Sequence, residues 1–119
     1  MSNVVRARLI ADGTVLALVA SRIYMIQLEQ NCTLPAISTV PLGETPQNAI
    51  GGENALKNES WQVDCWDNSY TDVETLADAV ESAMAAAGTD FDAVRTDRSV
   101  LFENQTGLYR ISIDYSLWI

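Results

Sequence analysis

The feature that most constrains this chain is its closing run. Tyr109, Ile111, Ile113, Tyr115, Leu117 and Ile119 alternate with Arg110, Ser112, Asp114, Ser116 and Trp118. Period two over that length is a strand with one apolar and one polar face. Such a strand needs paired neighbours and a layer over its apolar side. A second alternation supplies a neighbour: Trp61, Val63 and Cys65 interleave with Gln62, Asp64 and Trp66. The covering layer is equally legible. Val73, Leu76, Ala77, Val80, Met84 and Ala87 recur at i+3 and i+4, flanked by Asp72, Glu74, Asp78 and Glu81, so one stripe of a long helix is apolar. Ser69 or Thr71 caps it, Thr71 with Glu74 having capping-box spacing, and Gly88 stops it.

The remaining segments are read around that nucleus. Val4, Val5, Ala7, Arg8, Leu9 and Ile10 read as a short helix, Asp12-Gly13 as a break, and Thr14 as the cap of a second helix carrying Leu16, Ala17 and Val19; one unbroken helix from residue 4 to 20 is the alternative. Arg22 to Ile26 favours a strand, and Ala36 to Val40 a short one. Glu44 to Glu59 follows neither period and reads as a long loop, the segment expected to order against a partner. Phe91–Arg95 and Ser99–Glu103 read as two short strands, with a hairpin turn over residues 104–107. The expected fold is α+β: a small mixed domain over residues 1–119, with an antiparallel-rich sheet packed against one long helix and a short helical N-terminal region.

Composition enters by exclusion. Seven Lys plus Arg against 16 Asp plus Glu give a net charge of −9, and there is no histidine. Ser-His-Asp and Cys-His catalysis and imidazole metal sites are therefore ruled out. The acidic excess repels nucleic-acid phosphates and anionic membranes. The apolar run at Val15–Ala20 is too short for a signal segment, and no stretch reaches a bilayer-spanning length. The expectation is a soluble chain made in the cytoplasm, with no membrane partner.

Candidate chemistry is sparse. Cys32 and Cys65 have no metal or redox spacing and read as buried or half-buried thiols. Asp64 and Asp114 lie on outward strand faces, where two solvated aspartates or an acid–base pair are the options. Asp90, Asp92 and Asp97 lack calcium-loop spacing. Gly43, Gly51 and Gly52 form no phosphate loop. Arg6, Arg8, Arg22, Arg95, Arg98 and Arg110 are dispersed and read as surface salt-bridge residues. No enzyme activity and no cofactor are expected. Trp66 and Trp118 fall in register with polar residues; each either packs under a helix or marks a subunit interface.

In order, Arg22-Ile23-Tyr24, Leu34-Pro35 before a strand, Val63-Asp64-Cys65-Trp66, the helix with Leu76, Ala79, Val80 and Ala83, and Tyr109-Arg110 through Trp118 form a pattern. It resembles the small phage tail-completion family, which includes tail terminator and head–tail joining proteins of long-tailed phages and prophages. The resemblance covers most of the chain apart from residues 44–58. It implies a structural protein that self-associates into a ring, usually a hexamer, at the head-proximal end of the tail. Such a ring contacts the tail tube protein and the head connector, and DNA passes through it unread. Localisation would be the virion tail at the head–tail junction, after assembly in the host cytoplasm. Arg22, Tyr24, Trp66 and Trp118 match the family's positions and are the expected interface residues. A head–tail connector or adaptor subunit and a small non-enzymatic ligand-binding domain are the alternatives. For a DNA-passing ring the acidity implies a negative lumen, drawn from residues such as Glu44, Glu53, Asp90 and Asp92.

Overall fold

The computed structural model describes residues 4–20, 22–26, 33–47, 56–85, 91–103 and 107–118, with backbone alone at 44–47 and 56–57. Two short helices open it, α1 (Val4–Ala11) and α2 (Gly13–Val19). The break between them is sharp because Asp12, not Thr14, is the cap: its Oδ1 accepts the backbone N–H groups of Thr14 and Val15, each at 3.0 Å. After them come β1 (Ile23–Met25), β2 (Ala36–Gln47), β3 (Leu56–Asp67), α3 (Tyr70–Ala85), β4 (Asp92–Glu103) and β5 (Leu108–Trp118). Gly107 closes the β4–β5 turn at φ 72°, a conformation that favours glycine, and donates its N–H to the Glu103 carbonyl at 2.8 Å.

The sheet order is β1-β2-β3-β5-β4. β1 runs parallel to β2, and the other pairings are antiparallel. β3 and β4 therefore point the same way with β5 between them, and α3 makes the crossover, a split β-α-β unit. Ile37, Cys65 and Ile111 stand in one row across the sheet, and Val63 with Ile113 in the next. These side chains meet Val73, Leu76, Ala77, Val80, Ala83 and Met84 of α3, with Val5, Leu9, Val15 and Val19 closing the core from α1 and α2. All three helices thus lie on one face of the sheet. The mixed α+β architecture expected from the pattern is the one observed.

Several local expectations are corrected. The described parts of Glu44 to Glu59 are strand and not loop: Glu44 pairs with Glu59, Thr45 with Asn58, Pro46 with Lys57 and Gln47 with Leu56, so β2 and β3 form a long antiparallel pair. The molecule extends over 52 × 28 × 22 Å. The stretch 48–55, with Gly51, Gly52 and Glu53, lies outside the described residues. Residues 92–103 are one strand, not two. An irregularity between Arg95 and Asp97 shifts the register, so Ala93 and Arg95 face the helices before it, and Arg98, Val100 and Phe102 after it. Thr71 lies inside α3, so it cannot head a capping box with Glu74; the Ser69 carbonyl accepts the Val73 N–H at 2.9 Å. Gly88, Cys32, Asp90 and Ile119 lie outside the described residues.

Arg95 and Arg98 form the expected salt bridges, whereas Arg6, Arg8 and Arg22 also hold main-chain carbonyls. Arg6 Nε donates to the Ile23 carbonyl at 3.2 Å. Arg8 reaches the carbonyls of Met84, at 2.9 Å, and of Phe91, and lies 3.5 Å over the Phe91 ring. Arg95 binds Glu81 at 2.8 Å, while Arg98 binds Asp78 at 3.1 Å and also Glu81, riveting β4 to α3.

Candidate protein-interaction surface

Among the described residues, no helix lies on the opposite face of the sheet. That face presents Tyr24 on β1, Ser38 on β2, Asn58, Gln62, Asp64 and Trp66 on β3, alternate residues from Arg110 to Trp118 on β5, and Asp97, Ser99 and Leu101 on β4. The alternation dictates this set, because every residue with an apolar neighbour on the core side points here.

A polar network orders one end. Trp66 is half-buried, and its Nε1 donates to Ser38 Oγ at 3.1 Å. The Arg110 guanidinium lies 5.3 Å from the Trp66 ring centroid, with Nε 4.0 Å from Asp64 and a terminal nitrogen 3.9 Å from Glu103. Gln62 Nε2 donates to Asp64 Oδ1 at 2.8 Å. These neighbours leave Asp64 only 4% exposed, so it is not the solvated aspartate the strand pattern implied. The other end is more open. Asn58 Nδ2 donates to Ser116 Oγ at 2.6 Å, and beyond it Trp118 is 38% exposed. Trp66 faces Arg110 across the strands, so about 26 Å of β5 separates the two tryptophans. They share a face, and neither lies on the side packed by helices.

Arg22 and Tyr24 fall near the β1 edge. Arg22 Nε donates to the Pro35 carbonyl at 3.0 Å and a terminal nitrogen to the Leu18 carbonyl at 3.3 Å, tying α2 to the start of β2. Tyr24 is half-buried, and its carbonyl accepts from Thr39 Oγ1 at 3.4 Å. The four expected contact residues thus fall into three places: Trp66 in the network, Trp118 at the far end of β5, and Arg22 with Tyr24 by β1. What sequence reading missed is the set that holds Trp66, because Ser38, Asp64 and Arg110 come together only through strand register.

Between the ends stands a strained carboxylate pair. Asp114 lies directly opposite Asp97, with Asp64 on the same face. Burial, then the charges of Asp97 and Asp64, raise the Asp114 pKa above the ordinary carboxylate value. The fold thus favours the protonated form, and the stability this group contributes is present at low pH and lost as pH rises through its raised pKa. Asp114→Asn is expected to stabilise the protein at neutral pH by about 0.5 kcal/mol, the scale of a cross-strand like-charge pair. The gain should fade toward pH 3 in urea titrations, whereas equal stability of variant and parent at pH 7 would refute the repulsion.

The chemistry available is that of contact. Burial, followed by the charge of Asp64, pushes the Cys65 thiol well above its usual range, the opposite of an activated nucleophile. Among the described residues no group of three or more His, Cys, Asp or Glu side chains is placed to hold a metal ion. Concave features include a hollow of about 470 Å³ at the β4 irregularity, lined by Arg95, Asp97 and Arg98, and a groove of about 320 Å³ between α2 and α3 lined by Asp12, Leu18, Asp78 and Ala79.

A protein-family model described as "Tail completion protein gp17" matches residues 3–119. The chain belongs to that family. It is accordingly a structural protein of the phage tail, and the family is a structural one. Among solved structures, a chain of the "Virion of native gene transfer agent (GTA) particle" is similar, with a TM-score of 0.66 and 15% identity over 96% of this chain and 90% of that one. At that identity the likeness is one of fold. No individually curated protein matches the chain. The match to the tail completion family includes residues 44–59, the stretch where the sequence resemblance had given out.

Proposed function

We propose that this tail completion protein assembles into a ring, most simply a hexamer, that ends the tail tube and offers the head its docking surface. The observation that carries the reading is the wide helix-free sheet face. It is ordered by cross-strand bonds, polar along its length, and ends in the exposed indole of Trp118. A flat, pre-organised face with an aromatic anchor suits protein docking, where such anchors concentrate binding energy. Asp92, Asp97 and Asp114 lie on this face, and a ring that turns it toward passing DNA would have a lumen that repels phosphate. Glu53 and Asp90, and the side chain of Glu44, lie outside the described residues, so Asp92, Asp97 and Asp114 carry that reading here.

Light scattering and electron microscopy across a concentration series, with and without tail tube protein, test it. Six-membered rings capping tubes of finite length are the expected result. Tubes that grow unchecked past a strictly monomeric protein would overturn the reading, as would a ring with a basic lumen. Trp118→Ala is expected to leave far-UV circular dichroism unchanged while weakening assembly roughly tenfold to a hundredfold, the loss typical of an aromatic anchor. Collapse of the dichroism signal would make Trp118 a folding residue instead.

A further inference from the structure

We infer that the free edge of β4 is a contact site for a second copy of this chain, paired strand to strand about Leu101. Among the described residues, β4 is the outermost strand of the sheet, and it runs from Asp92 to Glu103. Edges of that length are normally blunted by lysine, proline, bulges or inward charges. Here the devices act on the first half alone. The irregularity lies between Arg95 and Asp97, and both arginines are drawn onto Glu81 and Asp78 of α3. Beyond them Ser99-Val100-Leu101-Phe102-Glu103 holds three large apolar residues in succession, 50%, 44% and 50% exposed. The opposite edge is guarded. β1 covers Ile37–Thr39, and the rest of β2 carries Pro41 and Pro46, which donate no backbone hydrogen bond.

The occupant follows from the run itself, whose polarity is the same read from either end about Leu101. Two antiparallel copies with Leu101 on the two-fold axis set Val100 opposite Phe102 and Ser99 opposite Glu103, each pair on one face. Apolar meets apolar, and a hydroxyl donor meets a carboxylate; no like charges oppose one another. Phe102 already leans on Tyr109, with ring centroids 4.7 Å apart, and Tyr109 on Tyr70 at 5.9 Å, so the apolar side of the joint has a fixed aromatic backing. The contact is isologous: it pairs protomers and does not by itself close a ring, so it stands apart from the ring reading.

Leu101→Cys in a Cys32→Ser background traps the pair. Opposed Cα atoms on an antiparallel axis are about 4.5–5.5 Å apart, within disulfide reach, and Cys65 is buried. A covalent, reductant-sensitive dimer should become the main species on mild oxidation, while Val94→Cys, exposed on the same strand but off the axis, should stay monomeric. Leu101→Lys should weaken self-association about tenfold in sedimentation, by placing like charges on the axis, with unchanged circular dichroism. The inference is overturned if Leu101→Cys cross-links no better than Val94→Cys, or if Leu101→Lys associates as the parent does. Rings that form although Leu101→Cys gives no more dimer than Val94→Cys would overturn it and leave the ring reading standing. The trapped dimer without rings would do the reverse.

Discussion

Trp61→Ala is expected to cost about 4 kcal/mol of folding stability, the middle of the range for removing a buried tryptophan. Trp61 is fully buried on β3, between Pro41 of β2 and Tyr115 of β5. Its indole also serves a second group, because Nε1 donates to Glu59 Oε1 at 2.8 Å and Glu59 itself is 5% exposed. Truncation therefore opens a cavity in the sheet's core face and strips a buried carboxylate of a donor. Trp61→Phe separates the two effects. It keeps most of the ring volume, so its loss of about 1–3 kcal/mol reports the unsatisfied carboxylate. Urea unfolding of the parent and both variants measures this. A phenylalanine variant as stable as the parent would mean that Glu59 finds another donor. An alanine variant losing under about 1 kcal/mol would mean the core collapses around the gap.

Arg8→Ala should rank next, at about 3 kcal/mol, an unusual cost for an arginine on a helix with half-open surroundings. The reason is positional. α3 has no basic residue in its last turn, so its terminal carbonyls lack a cation of their own. Arg8 of α1 supplies one from outside, donating to the Met84 carbonyl at the helix end and to the Phe91 carbonyl ahead of β4. Its guanidinium stacks on the Phe91 ring, adding a cation–π contact. One side chain thus fixes α1, the end of α3 and the approach to β4. Arg8→Lys retains charge without the planar fork and should recover less than half of the loss. If Arg8→Ala unfolds within about 0.5 kcal/mol of the parent, as ordinary surface substitutions do, water replaces those bonds freely.

The parts of the fold legible in sequence are those whose periodicity one packing surface sets. The stripe from Val73 to Met84 and the alternation of Ile111, Ile113, Tyr115 and Leu117 are read directly because each faces a single core. The Asp12-Gly13 break is legible because a turn signal is local chemistry, although the cap is Asp12 and not Thr14. The strand pairing within 44–59 is not. Pro46 and the polar residues around it have low strand propensity, and pairing between β2 and β3, and of residues 58–60 with β5, overrides it. β4 hides for another reason. Its core-side positions include Arg95 and Arg98, which reach charged residues of α3 instead of an apolar core, and the register shift between Arg95 and Asp97 swaps the alternation midway. The candidate face is half legible. Trp66 and Trp118 declare themselves by falling among polar residues, but the company of Trp66 is assembled from three strands, and no spacing along the chain encodes it.

The arginines give the molecule an asymmetric tolerance to change. With 16 acidic side chains and seven basic ones, charge counting alone suggests that losing any single cation matters little. Yet Arg6, Arg8 and Arg22 hold main-chain carbonyls, Arg95 and Arg98 clamp strand to helix, and Arg110 lies over Trp66. Exposed carboxylates such as Asp72 and Asp92 have no comparable structural duty among the bonds described. Drift in sequence should therefore add or remove surface acids freely while conserving cations at fixed places. The net charge of relatives would wander mainly through its negative component, with the positive one anchored by architecture.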